Sequence, residues 1–160
     1  MSGDFQDTYN MIACISSNPR KLTHTVYTIG EHNGTAAAFV SFCQMMVQTR
    51  WLVHNKILVL DNAGIHTGRE SADLEQFFWE TIIDGRPLHV LVIYLPTRSP
   101  ELNPIELIFH IFSRCVRSYR TQHASGPVDR AIIRSGPHVL PELLYETILC
   151  CYAPCGYSFV

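Results

Sequence analysis

The fold of this chain is decided by residues 56–66, which read KILVL and then DNAGIH. A short, unbroken run of apolar residues is typical of a strand that is buried on both faces. Asp61 and Asn62 come directly after this run, and both residue types favour turns. We therefore predict a central strand over 56–60 whose carboxyl end carries Asp61.

The neighbouring segments alternate between strand and helix patterns. Strands are predicted over 9–16, 23–29 and 88–95, and helices after the capping residue Thr35, over 70–79, from 104 to about 119, and over 141–152. This order predicts an α/β domain with a mixed or parallel sheet and helices on both faces. In such sheets, reactive residues gather at the carboxyl ends of the strands.

Composition limits the classes of protein to which the chain can belong. Its 160 residues are 47% hydrophobic and 16% charged, as in a single packed domain covering 1–160. The net charge of -2 provides no basic field for nonspecific binding to nucleic acid. We find no secretory signal and no apolar run of the ~20 residues that span a bilayer. We expect an intracellular protein with no membrane partner.

Six cysteines are present without a CxxC pair. In a reducing compartment this pattern favours buried thiols. A zinc site built from Cys151, Cys155 and a distant histidine is the less favoured interpretation.

Two acidic residues are placed where they can meet. Asp61 follows the predicted central strand, and Glu106 lies in the first turn of the long helix, within the stretch SPELNPIE at 99–106. A strand end and the start of a helix packed beside it can bring two carboxylates together. Mg²⁺ prefers oxygen ligands and often takes only one or two protein carboxylates, leaving positions for water and phosphate.

Structural interpretations of the same residues stay open. Asp61 alone fits an ordinary turn, and Asn103 with Glu106 fits a capping box at the start of the long helix. His66 fits either an orienting group or a histidine without function at a helix entry. Glu101 fits either a further metal ligand or, with more support, a solvated loop carboxylate. Arg98 fits either a contact to phosphate or an ordinary surface charge.

The two motifs together resemble a known family. DNAGIH after one strand, then LPTRSPELNPIE after another, is similar to the catalytic domain of Tc/mariner-like transposases of the DDE superfamily. The likeness runs over 9–119 and includes FVSFCQMM at 39–46, and it leaves a helical part at 138–155. Thr97 and Arg98 stand where the family usually has Pro-Tyr.

This resemblance implies a ribonuclease H-like fold and a role for each matching residue. Asp61 and Glu106 would be catalytic and would bind Mg²⁺ or Mn²⁺, with Asn62, His66 and Asn103 as accessory residues. The implied partner is DNA, and the implied chemistry is metal-dependent strand cleavage and transfer. The resemblance also implies a homo-oligomer and, in a eukaryote, a nuclear location. It implies no small-molecule substrate.

The resemblance also predicts what the chain lacks. The family's first catalytic Asp lies on a central strand before the strand that corresponds to 9–16, and we expect this strand to be missing. Asp4 and Asp7 follow no apolar run and receive no catalytic role. With two of three carboxylates, we expect weak or no activity. Alternatives are a non-enzymatic transposase remnant or interaction module, and a hydrolytic nuclease of the same broad fold.

Overall fold

The computed structural model describes residues 10–30, 34–62, 69–122 and 145–157. Within them, the strands are β1 (Asn10–Ile15), β2 (Thr25–Gly30), β3 (Ile57–Leu60), β4 (Ile82–Ile83), β5 (Arg86–Pro87) and β6 (Leu91–Tyr94). The helices are α1 (Ala36–Gln48), α2 (Arg69–Glu80), α3 (Pro104–Gln122) and α4 (Tyr145–Tyr152), with 3-10 turns at Pro100–Leu102 and Ala153–Cys155. The chain is thus a mixed α/β structure, as predicted.

The described strands form three separate pairs. β1 and β2 are antiparallel, and β4 and β5 form a short antiparallel hairpin. β3 and β6 are parallel, with Leu60 opposite Tyr94 at the last step of their register. Their carboxyl ends therefore lie side by side, and the two motif loops leave the sheet at the same edge.

Helix α1 forms as its sequence predicts. The side chain of Thr35 accepts a hydrogen bond of 3.2 Å from the Ala38 N–H and so caps the helix. One face of the helix is buried, and it consists of the residues that its helical spacing selects: Phe39, Phe42, Cys43, Met46 and Val47.

Two apolar cores lie on opposite faces of the β1–β2 pair. Ile12 and Cys14 contact the large core, which is built mainly from α1, α2 and the inward side chains of β3. Met11 and Ile15 contact a second core formed by α3 and α4 around Ile108. The alternation of strand side chains thus places helices on both faces of this pair.

The β3–β6 pair corrects one prediction. Among the described residues, β3 pairs with β6 on one side. β3 was expected to be buried on both faces, but Ile57 is 61% exposed. Leu91, its partner in the register, is 57% exposed. Among the described residues, helices cover the face of this pair that carries Leu58 and Leu60, and leave the face of Ile57 and Val59 exposed. An apolar run specifies a strand but does not by itself show whether a second layer lies above it.

Other elements begin or end a few residues from the predicted positions, and the short strands β4 and β5 were not predicted. β6 is shorter than the predicted strand over 88–95. The turn at Asp84 and Gly85 joins β4 to β5. Both turn residues have positive φ (51° and 72°), as a tight hairpin requires.

The cysteines are less uniformly buried than expected. Cys43, Cys151 and Cys155 are buried, but Cys14 and Cys115 are half-buried and Cys150 is exposed.

Several predictions fall outside the described residues. These are His66, the acidic residues Asp4 and Asp7, and the part of the last predicted helix before Tyr145. In the part of the chain that the structure does describe, no helix combines the length and apolarity needed to cross a membrane.

Candidate active site

The predicted acidic pair comes together at the shared edge of β3 and β6. Asp61 directly follows β3 and is half-buried, with its Oδ1 atom shielded from solvent. Glu106 lies in the first turn of α3 and is exposed. Partial burial raises the pKa of the Glu106 carboxyl, and the negative charge of Asp61 raises it further. The two carboxylates are therefore close enough for one charge to act on the other.

The loops that carry the pair also contact each other. The Asn62 Nδ2 donates a hydrogen bond of 3.4 Å to the Thr97 Oγ1. The backbone N–H of Leu95 donates to the Leu60 carbonyl over 2.8 Å, which continues the parallel pairing past Tyr94. These two bonds hold the end of β3 and Asn62 beside the end of β6 and Thr97. Thr97 was not among the predicted site residues, although its position just beyond the apolar strand was a usable signal.

The backbone leading into α3 argues against the capping-box interpretation of Glu106. The N–H of Asn103 donates to the Pro100 carbonyl over 3.0 Å, within the preceding 3-10 turn. The N–H of Glu106 donates to the Asn103 backbone carbonyl over 3.1 Å. In a capping box, the Glu106 carboxylate would accept from the Asn103 N–H instead. Because Pro100 already accepts that hydrogen bond, Glu106 is not needed as a cap.

Three further candidate residues, Glu101, Arg98 and Asn103, are close to Glu106 in sequence but have different surroundings. Glu101 acts on Cys155: burial raises the pKa of that thiol, and the Glu101 charge raises it further. Glu101 thus faces the 3-10 turn after α4. Arg98 is exposed and has a positive φ of 59°. Asn103 is half-buried at the junction between the 3-10 turn and α3.

Asp61 and Glu106, the two described acidic residues of the site, offer oxygen donors to a cation. Within the four described ranges, no cluster of three or more His, Cys, Asp or Glu side chains could hold a metal ion. The Asp61–Glu106 pair is smaller than such a cluster, yet Mg²⁺ often binds through one or two carboxylates. A cation between them would also offset the repulsion that raises the Glu106 pKa. The donor set therefore fits Mg²⁺ or Mn²⁺.

Comparison with protein families agrees with this geometry. The family model of the DDE superfamily endonucleases matches residues 3–125, which is more than half of the chain and includes both loops. The chain belongs to this superfamily. Its members generally use divalent metal ions, and membership implies a DNA substrate and a transposase-type nuclease function. No curated protein matches the chain. No solved structure matches it either.

Proposed function

We propose that this chain is a Tc/mariner-like DDE domain in which Asp61 and Glu106 bind a divalent metal ion for cleavage and transfer of DNA strands. The observation that carries the proposal is the parallel register of β3 and β6, which brings Asp61 and the loop leading to Glu106 to one edge of the sheet. The Asp61 charge, which raises the pKa of Glu106, agrees with it. The subfamily assignment is supported by DNAGIH at 61–66 and SPELNPIE at 99–106. Strand transfer would distinguish this protein from a purely hydrolytic nuclease.

Each described residue of the site has a proposed role that follows from its position. Asp61 and Glu106 would hold the cation from two sides, and Asn62 would keep its loop against Thr97. Asn103 would set the start of α3 and thereby the direction of Glu106. A bound Mg²⁺ or Mn²⁺ supplies an activated oxygen nucleophile and stabilises charge on the phosphoryl group. His66 remains a proposed accessory residue.

We also propose a ribonuclease H-like arrangement with a place for one more strand between β1 and β3. Its support is that, among the described residues, β1 pairs only with β2 and β3 only with β6, while both pairs contact the large core. In the family resemblance, the strand at that place carries the first catalytic Asp.

Amide hydrogen exchange tests this arrangement. The bonds to Lys56 and Leu60 carbonyls show that even-numbered residues of β3 face β6, so Ile57 and Val59 face the other way. We expect fast exchange at Ile57 and Val59 and slow exchange at Leu58. Slow exchange at all three would contradict an open place beside β3.

The function itself is tested by nicking of supercoiled DNA in Mg²⁺ or Mn²⁺. We expect weak, metal-dependent nicking by the 160-residue chain and at least a roughly tenfold loss in Asp61→Asn and Glu106→Gln. Glu146→Gln is the matched control, because Glu146 is an exposed carboxylate on α4. Equal background from all four proteins would overturn the catalytic proposal and favour the non-enzymatic interaction module.

A further inference from the structure

A second surface of the molecule lies between helix α2 and strand β6. This groove has a cavity volume of about 380 Å³, at the lower end of the range for ligand sites. Glu75, Gln76 and Trp79 form its helical wall. Its other wall is His89, Val90, Leu91 and Val92, at the start of β6 and along it. The proposed nuclease function uses none of these residues.

Two side-chain contacts bracket the groove. At one end, the Tyr94 hydroxyl donates a hydrogen bond of 3.1 Å to the Glu75 Oε1. At the other end, the rings of Trp79 and His89 stack with their centroids 4.6 Å apart. His89 has a positive φ of 48°, and Trp79 is 68% exposed. The helix and the strand edge are therefore held in a fixed relation with an aromatic surface facing solvent.

The edge of β6 on this side has backbone groups directed outwards. The N–H groups of Leu91 and Leu95 donate to Lys56 and Leu60 carbonyls, so odd-numbered residues face β3. By the two-residue period of a strand, the N–H and C=O of Val92 point away from β3. Among the described residues, β6 has no strand partner besides β3. A free strand edge beside a helix is the structure to which extended peptides add.

The charged and apolar side chains around the groove indicate which kind of molecule it binds. Glu75 is the charged residue of the described lining, which contains no Lys or Arg. Gln76 donates to the Glu80 Oε1 over 2.8 Å, which keeps another carboxylate nearby. The Glu75 carboxylate disfavours a DNA phosphate and favours a cationic side chain at this position. The side chains of Leu91 and Ile93 are exposed and would lie beside alternate residues of an added strand.

We propose that this groove binds an extended segment of a partner protein, which adds to the edge of β6 as a further strand. The segment carries apolar residues beside Leu91 and Ile93 and a Lys or Arg opposite Glu75. The Val92 backbone supplies hydrogen bonds that do not depend on the partner's sequence. Trp79 contacts the side chains that point towards α2.

The test uses the 160-residue chain and a synthetic peptide of alternating valine and lysine. We expect the peptide to bind with a change in the indole signal of Trp79 and to slow amide exchange at Val92 by about tenfold or more. Glu75→Gln is expected to weaken binding by roughly threefold, as loss of one exposed charge pair does. Glu146→Gln, the control on α4, is expected to bind like the original chain.

Two matched peptides and an oligonucleotide identify the occupant. A valine–glutamate peptide and the valine–lysine peptide with N-methylated amides are expected to bind far more weakly, because one reverses the charge and the other removes the strand hydrogen bonds. The proposal is overturned if the N-methylated peptide binds equally well or the valine–lysine peptide does not bind. Binding of single-stranded oligothymidylate in the groove also overturns it. So does self-association of the chain that protects Val92 without peptide, because the occupant is then a second copy.

Discussion

The charge of Asp61 raises the pKa of Glu106, although one residue follows a strand and the other begins a helix far along the sequence. The parallel register of β3 and β6 makes this possible, because it brings the loops after both strands to one edge. The 3-10 turn at Pro100–Leu102 then leads directly into α3, whose first turn carries Glu106. The acidic pair is thus a product of topology rather than of local sequence.

The pKa of Glu106 gives a first prediction. Asp61→Asn should lower it, because burial then remains as the cause of the upward shift while the nearby charge is gone. The carboxyl resonance of Glu106, followed by NMR during a pH titration, measures the change. An unaltered Glu106 pKa in Asp61→Asn would show that the two groups do not interact.

The same shift predicts how stability depends on pH. A carboxyl whose folded-state pKa is raised stabilises the fold fully below its ordinary pKa of 4.5, and this contribution is lost as pH rises through the raised value. At pH 7, the free energy of unfolding of Glu106→Gln should therefore be slightly higher than that of the original chain. This difference should shrink towards pH 4. Urea denaturation at both pH values checks this. A variant that is less stable at pH 7 would point to a structural role for Glu106.

The hydrogen bond between the motif loops is expected to be weak. Asn62 and Thr97 are exposed, so Thr97→Val should cost less than about 1 kcal/mol in the free energy of unfolding. A double-mutant cycle with Asn62→Ala isolates the pair. Costs that simply add would mean that the two side chains do not interact.

The cap of α1 is the clearest local feature, and it can be tested alone. Thr35→Ala should cost about 1 kcal/mol of folding free energy, because the Ala38 N–H loses its side-chain acceptor. Thr35→Ser keeps a hydroxyl and should cost much less. Equal losses of stability in both variants, measured by thermal unfolding, would show that the Thr35 hydroxyl does not stabilise α1 as a cap.

The sequence predicted those features that depend on neighbouring residues. Thr35 and the apolar spacing of α1 specify the helix and its buried face locally. The exposure of Ile57 and Leu91 could not be predicted, because it depends on whether another layer packs on that face of the sheet.

The candidate site shows the same division. The motifs selected Asp61 and Glu106. The rules of helix capping also favoured Glu106 as a cap, and only the bond from Asn103 to Pro100 decided against that role. The contact between Asn62 and Thr97 required knowledge of which strands are neighbours and in which register.

Paramagnetic relaxation by Mn²⁺ tests most directly whether Asp61 and Glu106 share one ion. At substoichiometric Mn²⁺, we predict that the amide resonances of Asp61 and Glu106 broaden together and that either Asp61→Asn or Glu106→Gln removes both effects. Glu146→Gln should leave them unchanged. Broadening at only one of the two residues, or broadening that survives in both variants, would contradict a shared metal site.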